Sequence, residues 1–193
     1  FKAQQQETSL LNKTAQIGKL LNQAQMLSQI IASQAGLSRD AQSELRQLSN
    51  LVTTVTPQVT QALGEGRAMG AYSLGQGFIN SSSSTRFDEL LQQLEKLQGE
   101  YGLKLQDALG ISNAAHAALD TLAQASQASL KQGSELFEEQ VVMAETLDMA
   151  WQGFYDSVSQ LMAKTYQLDD ATLTILEQQL QQRLAQNRMH MVL

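Results

Sequence analysis

Few positions in this 193-residue chain carry residue types that could do chemistry. His116 and His190 are the only histidines. They lie in different helical segments, whereas a zinc-binding His pair sits one turn apart on one helix, so both read as surface residues. Glu138, Glu139 and Glu145 form a carboxylate group. A di-iron site in a helical bundle needs Glu-x-x-His motifs on facing helices, and the sequence has none, so this group reads as a solvated face. Gly64-Glu65-Gly66-Arg67-Ala68-Met69-Gly70 resembles a phosphate loop only in its glycines. It follows a helical register rather than a strand, and no Lys-Ser/Thr pair closes it. Gly66, Gly70 and Gly77 are expected instead to let helices pack closely. Ser81 to Ser84 has no neighbouring base and reads as a turn. These absences predict no catalytic residue, no metal site, no cofactor and no enzymatic activity.

Two features suit binding better. Arg67 lies one residue off the apolar seam of its helix. In a bundle core or a dimer interface a guanidinium there can hold a carboxylate or inorganic anion in a fork. Trp151, Phe154 and Tyr155 place three of the ten aromatics within five residues. They serve either as core or as the aromatic wall of a small-molecule pocket between helices.

The elements that must position these residues are helices. The chain has one proline, no cysteine, 29 glutamines, 42% hydrophobic and 5% aromatic residues. Ala, Leu, Gln, Glu and Ser are helix-forming or helix-tolerant, and the turn-residue clusters of a β-sandwich or barrel are missing. A net charge of −6 with scattered Lys and Arg excludes a nucleic-acid binder. Zero cysteine excludes disulfides and thiolate chemistry. No run approaches the roughly 20 apolar residues of a membrane span. The chain starts at Phe1 without a visible signal peptide, which suggests an excised or processed piece. Met189 to Leu193 turns apolar, as a helix end or the approach to a membrane span would.

Leu10, Ile17, Ala24 and Ile31 mark the seam of a first helix over about Gln4 to Ala35. A second seam runs through Ala41, Leu45, Leu48, Val52, Val55, Val59, Ala62, Gly66, Met69 and Ser73. It passes Pro57 without a slip, which predicts one kinked helix from about Ser38 to Phe78, with Thr53, Thr54 and Thr56 offering hydroxyls to the freed carbonyl. The rival is two helices meeting at Pro57. Asn80 to Thr85 reads as a loop, with Ser84 or Thr85 capping the next helix. Phe87, Leu90, Leu94, Leu97, Tyr101, Leu105 and Ala108 form that helix's stripe, and Gly110 ends it. Ser112 or Asn113 caps a helix carrying Ala115, Ala118, Leu122 and Ala125. Gly133-Ser134 is a candidate boundary, with Glu135, Glu138 and Glu139 at a new N-terminus. Leu147, Trp151, Phe154, Val158 and Leu161 continue a stripe, and a break near Asp169-Asp170 precedes a last helix. The expected fold is all-α: an elongated antiparallel bundle of four to six long helices. It forms a single domain over 1–193, with two stacked four-helix bundles as one form it can take.

The stretch Leu63-Gly64-Glu65-Gly66-Arg67-Ala68-Met69-Gly70-Ala71-Tyr72-Ser73-Leu74 resembles one common in chemoreceptor and sensor-kinase input domains. Asn22-Gln23-Ala24-Gln25-Met26-Leu27-Ser28-Gln29 partly resembles the signature of nitrate-sensing and pilus-chemotaxis receptors, but lacks its glycine and arginine. The whole-chain plan is similar to helical bimodular sensor domains. The resemblance implies the periplasmic, ligand-sensing part of an inner-membrane chemotaxis receptor or sensor histidine kinase. It implies a homodimer, flanking membrane spans, and a small-molecule ligand or periplasmic binding protein as partner. Arg67, Tyr72, Trp151 and Tyr155 are then the ligand-binding candidates. A structural or secreted coiled-coil protein without a small ligand is the alternative.

Overall fold

The computed structural model describes residues 38–192, together with Ala3, Gly18, Asn22 and Gln25, all four helical. The expected seam of Leu10, Ile17, Ala24 and Ile31 lies outside the described residues.

From residue 38 onward, the first helix is continuous and has three parts: α1 (Arg39–Asn50), a π-helical turn (Leu51–Val55) and α2 (Thr56–Gln76). The Ser38 hydroxyl caps α1 by accepting the Ala41 amide at 3.3 Å. The unbroken register past Pro57 is therefore an unbroken helix. The π turn explains how. An α-helical turn would press the proline ring against the Thr53 carbonyl and leave that carbonyl without a donor. Bonding from i to i+5, as in the Thr56 amide to the Leu51 carbonyl, widens the helix just ahead of the ring. Hydroxyls do back-bond here, but to other carbonyls than the one Pro57 frees. Thr53 donates to Ser49 at 2.8 Å and Thr56 donates to Leu51 at 3.2 Å.

The extra residue in the π turn also advances the seam. Leu45, Leu48, Val52, Val55, Val59, Ala62, Gly66 and Ser73 are buried as expected. Beyond the turn Leu63, Gly70 and Leu74 join them, while Met69 is only half-buried.

Gly77, at φ 84°, closes α2 in the left-handed region, so it is a cap rather than a helix-packing glycine. The Asn80 side chain caps α3 (Ser81–Leu109) by accepting the Ser83 amide at 2.8 Å. The serine run is thus the first turn of α3 and not a loop, because an asparagine cap precedes it. All seven residues of the expected α3 stripe are buried. Ser112 caps α4 (Asn113–Phe137). Its core face is Ala115, Leu119, Ala123, Ser126, Ser129, Leu130, Gly133 and Phe137. Of the expected Ala118, Leu122 and Ala125, Ala118 is exposed and the other two are half-buried, with Leu122 packed against the core. In this Ala-rich stretch the inward register runs through Leu119 and Ala123 and then through serines and a glycine, which apolar periodicity cannot place. For the same reason Gly133-Ser134 is no boundary. The helix continues into a π turn (Glu138–Val142), so Glu135, Glu138 and Glu139 sit at its C-terminal end. After the non-helical segment 143–150, α5 (Trp151–Val192) runs unbroken for 42 residues, about 63 Å at 1.5 Å per residue. The chain breaks before Trp151 and not at Asp169-Asp170, which lie inside α5.

Among the described residues these are four long helices in an all-α, up-down-up-down bundle. Helix α2 packs against α3 and α5, and α4 packs against the same two. Helices α2 and α4 also meet across the diagonal, while the backbones of α3 and α5 do not approach. Glycines create the short diagonal. A Cβ on Gly66 would overlap the Phe137 ring, and one on Gly133 would overlap Leu63. Gly70 is a socket for Phe154 in the same way. Phe87, Phe137 and Phe154 form an aromatic layer there, with ring centroids 6.4 and 5.8 Å apart.

Candidate functional site

Helices α2 and α5 run antiparallel, and their facing residues step past each other in order. Thr56 meets Asp169, Gly64 meets Met162, Arg67 meets Ser159, Gly70 meets Phe154, and Gly75 meets Trp151. On α5 the residues Trp151, Tyr155, Ser159, Met162, Tyr166 and Asp169 recur at spacings of four and three, one helical stripe. That stripe, laid along α2, holds the candidate site.

Arg67 is half-buried at this contact. Its Nη1 donates to the Ser159 hydroxyl at 2.9 Å. That hydroxyl in turn donates to the Tyr155 carbonyl at 2.8 Å. The guanidinium carbon stands 4.5 Å from the Tyr155 ring centroid, within cation–π range. The ion pairs among the described residues are Arg86–Glu65, Lys104–Glu100, His116–Asp120 and Lys131–Glu135. Arg67 is in none of them. A guanidinium presents five donors in a planar fork, so this one combines a fixed orientation with donor capacity beyond its Ser159 bond.

Of the four residues expected at the site, Arg67 and Tyr155 are brought together. Trp151 lies one turn before Tyr155 on the same stripe, against Gly75, and is 39% exposed. Tyr72 does not join them. It is 60% exposed, and its hydroxyl accepts from the Gln76 amide nitrogen at 2.8 Å. It lies two turns from Glu65, which pairs with Arg86 of α3, so it sits on the α3 side of α2. Phe154 is fully buried core.

Sequence reasoning missed a layer of buried polar side chains beside the π turn. The Tyr101 and Ser126 hydroxyls lie 2.7 Å apart, and those of Ser126 and Thr165 lie 2.6 Å apart. These three residues tie α3, α4 and α5 together. Between α2 and α5 the Thr56 hydroxyl stands 2.6 Å from Asp169 Oδ1. Thr56 is fully buried, and Asp169 is half-buried. The carboxyl faces the helix contact. Burial there pushes it up to about 7, against a smaller downward pull from the Thr56 bond. Burial also raises the Tyr101 phenol well above its ordinary value. It raises Tyr166 too, with Arg67 pulling the other way. A sequence signal for Asp169 existed: it falls in phase with Met162 and Tyr166 on the inward stripe, where a cap would not.

Among the described residues no group of His, Cys, Asp and Glu could hold a metal ion. None of the described helices is long and apolar enough to cross a membrane. His116 is exposed and pairs with Asp120 one turn on, at 3.7 Å. The side chain of His190 lies outside the described residues. No protein-family model, no curated protein and no solved structure matches the chain.

Proposed function

We propose that the chain is the ligand-sensing extracytoplasmic input module of a transmembrane signalling receptor, a chemotaxis transducer or sensor histidine kinase. Its ligand is a small carboxylate or inorganic anion bound at the α2–α5 contact. The observation that supports this reading is Arg67: a half-buried guanidinium stacked on Tyr155, held by Ser159 and paired with no carboxylate among the described residues. Such a group attracts an anion and fixes its orientation. An anion there contacts two antiparallel helices at once. It biases their relative placement only by as much as it favours one arrangement over the other. A small shift of α5, continuous for 42 residues, then carries the bias along the bundle. In the intact receptor the module works as a homodimer.

A thermal-shift screen with amino acids, organic acids and inorganic anions tests this reading. A ligand that binds only the folded form raises the melting temperature. At a concentration of about 100 times Kd the gain is about 2.7 kcal/mol, a shift of several degrees for a chain of this size. Arg67→Gln is expected to abolish the shift while leaving the fold intact. A shift that survives Arg67→Gln, or no shift with any anion, overturns the assignment.

A further inference from the structure

We infer that Thr56 and Asp169 form a proton-operated latch that ties α5 to the π turn of the first helix. The inference stands apart from the anion site and does not depend on it.

The geometry places one hydroxyl between two oxygen acceptors. Thr56 Oγ1 lies 2.6 Å from Asp169 Oδ1 and 3.2 Å from the Leu51 carbonyl oxygen. A threonine hydroxyl has a single proton to donate and lone pairs to accept with. When Asp169 is ionised, its carboxylate can only accept. The Thr56 proton goes to the carboxylate, and the Leu51 carbonyl keeps only the Thr56 amide. With Asp169 protonated, the carboxylic acid donates to Thr56 Oγ1. The Thr56 proton is then released to Leu51, and a continuous chain runs from acid to hydroxyl to carbonyl. Both short contacts are satisfied together only in the protonated form. Proton uptake at Asp169 therefore adds a hydrogen bond to the π turn, and proton loss removes it.

The surroundings permit that titration in the neutral range. From α2 the carboxyl meets the hydroxyl of Thr56, which does not ionise. Tyr101 from α3 and Tyr166 from α5 are its titratable neighbours, and burial keeps both neutral. Ser126 stands behind Tyr101 on α4. Asp170, the next residue, is exposed, and Arg67 of α2 acts on Tyr166. No cation among the described residues holds Asp169 ionised, and burial pushes it up to about 7.

The test is an NMR titration of the full chain from pH 5 to pH 9. It follows the Asp169 side-chain carboxyl carbon, the Leu51 carbonyl carbon and the Thr56 amide. All three are expected to move with one midpoint near 7. Asp169→Asn, whose amide donates at every pH, is expected to lock the Leu51 signal at its low-pH position. Thr56→Val is expected to leave the Asp169 titration in place and uncouple Leu51 from it. Thr56→Ser keeps the hydroxyl and is expected to keep the coupling, and it serves where the valine variant does not fold. A carboxyl that titrates below pH 5, or a Leu51 signal that ignores the carboxyl in the unmodified chain, overturns the latch.

Discussion

Asp169 gives the molecule its sharpest dependence on pH. The unfolded carboxyl has an ordinary value of 3.8, and the folded one is pushed up to about 7. Between these values the folded chain holds the extra proton, so stability falls as pH rises. The contribution is complete below the unfolded value and lost above the folded one. The difference corresponds to about 2–4 kcal/mol once partial solvent access is allowed for. Urea unfolding is expected to show stability dropping from pH 4.5 to pH 8, with most of the slope gone in Asp169→Asn. That variant is expected to be the more stable protein at pH 8, by about 1–3 kcal/mol. Stability that climbs with pH over this range, or an unchanged slope in the variant, would sink the assignment. Tyr101→Phe tests the other half of the polar layer. Removing a hydroxyl bonded to buried Ser126 is expected to cost about 1 kcal/mol, read by the same denaturation. At this scale the sequence was only partly legible. Arg67 and Tyr155 stood out because a cation one residue off a seam and a cluster of aromatics are visible in one dimension. The pairing of Thr56 with Asp169 did not: the phase of Asp169 marks it only as inward, and its partner lies 113 residues away.

Among the elements, the helical glycines divide into those with a neighbour and those without. Gly70→Ala forces a methyl into the Phe154 ring, and overpacking of this kind costs about 1–3 kcal/mol. Adding Phe154→Leu is expected to recover part of that loss. Exposed Gly99, within α3, has nothing within 4 Å of its missing Cβ. Gly99→Ala is therefore expected to stabilise by about 0.5–1 kcal/mol through helix propensity. Melting curves of the three variants against the parent check both signs. A destabilising Gly99→Ala or a harmless Gly70→Ala would contradict the packing described. The α3 stripe was readable because large apolar side chains hold its inward positions from Phe87 to Leu105, leaving only Leu109 unforeseen. Helix α4 was not, because Ser126, Ser129 and Gly133 face inward there, and their burial rests on hydroxyl partners and on Leu63. The end of α2 was readable to a residue or so, and its cap at Gly77 needed the backbone.

For the molecule as a whole, the aromatic layer and the polar layer rest on the same helices. Along α5 the centres Phe154 and Asp169 are separated by about 22 Å of helix. Unfolding is therefore expected to be one cooperative transition. Trp151 fluorescence, from the aromatic end, and circular dichroism, from all helices, should give coincident urea curves. Gly70→Ala and Asp169→Asn, far apart and without shared partners, should add to within about 0.5 kcal/mol. Separate transitions would mean that the two ends fold as independent units.

The short diagonal between α2 and α4 has a mechanical side. By drawing those two helices together it sets α5 in a trough between them, and the α3 backbone stays clear of its path. Along the trough α5 meets two detents, the Phe154 ring in its Gly70 socket and the Asp169 carboxyl on Thr56. The bundle thus holds the register of the rod at two points about 22 Å apart along it, and any axial displacement of α5 has to act on both.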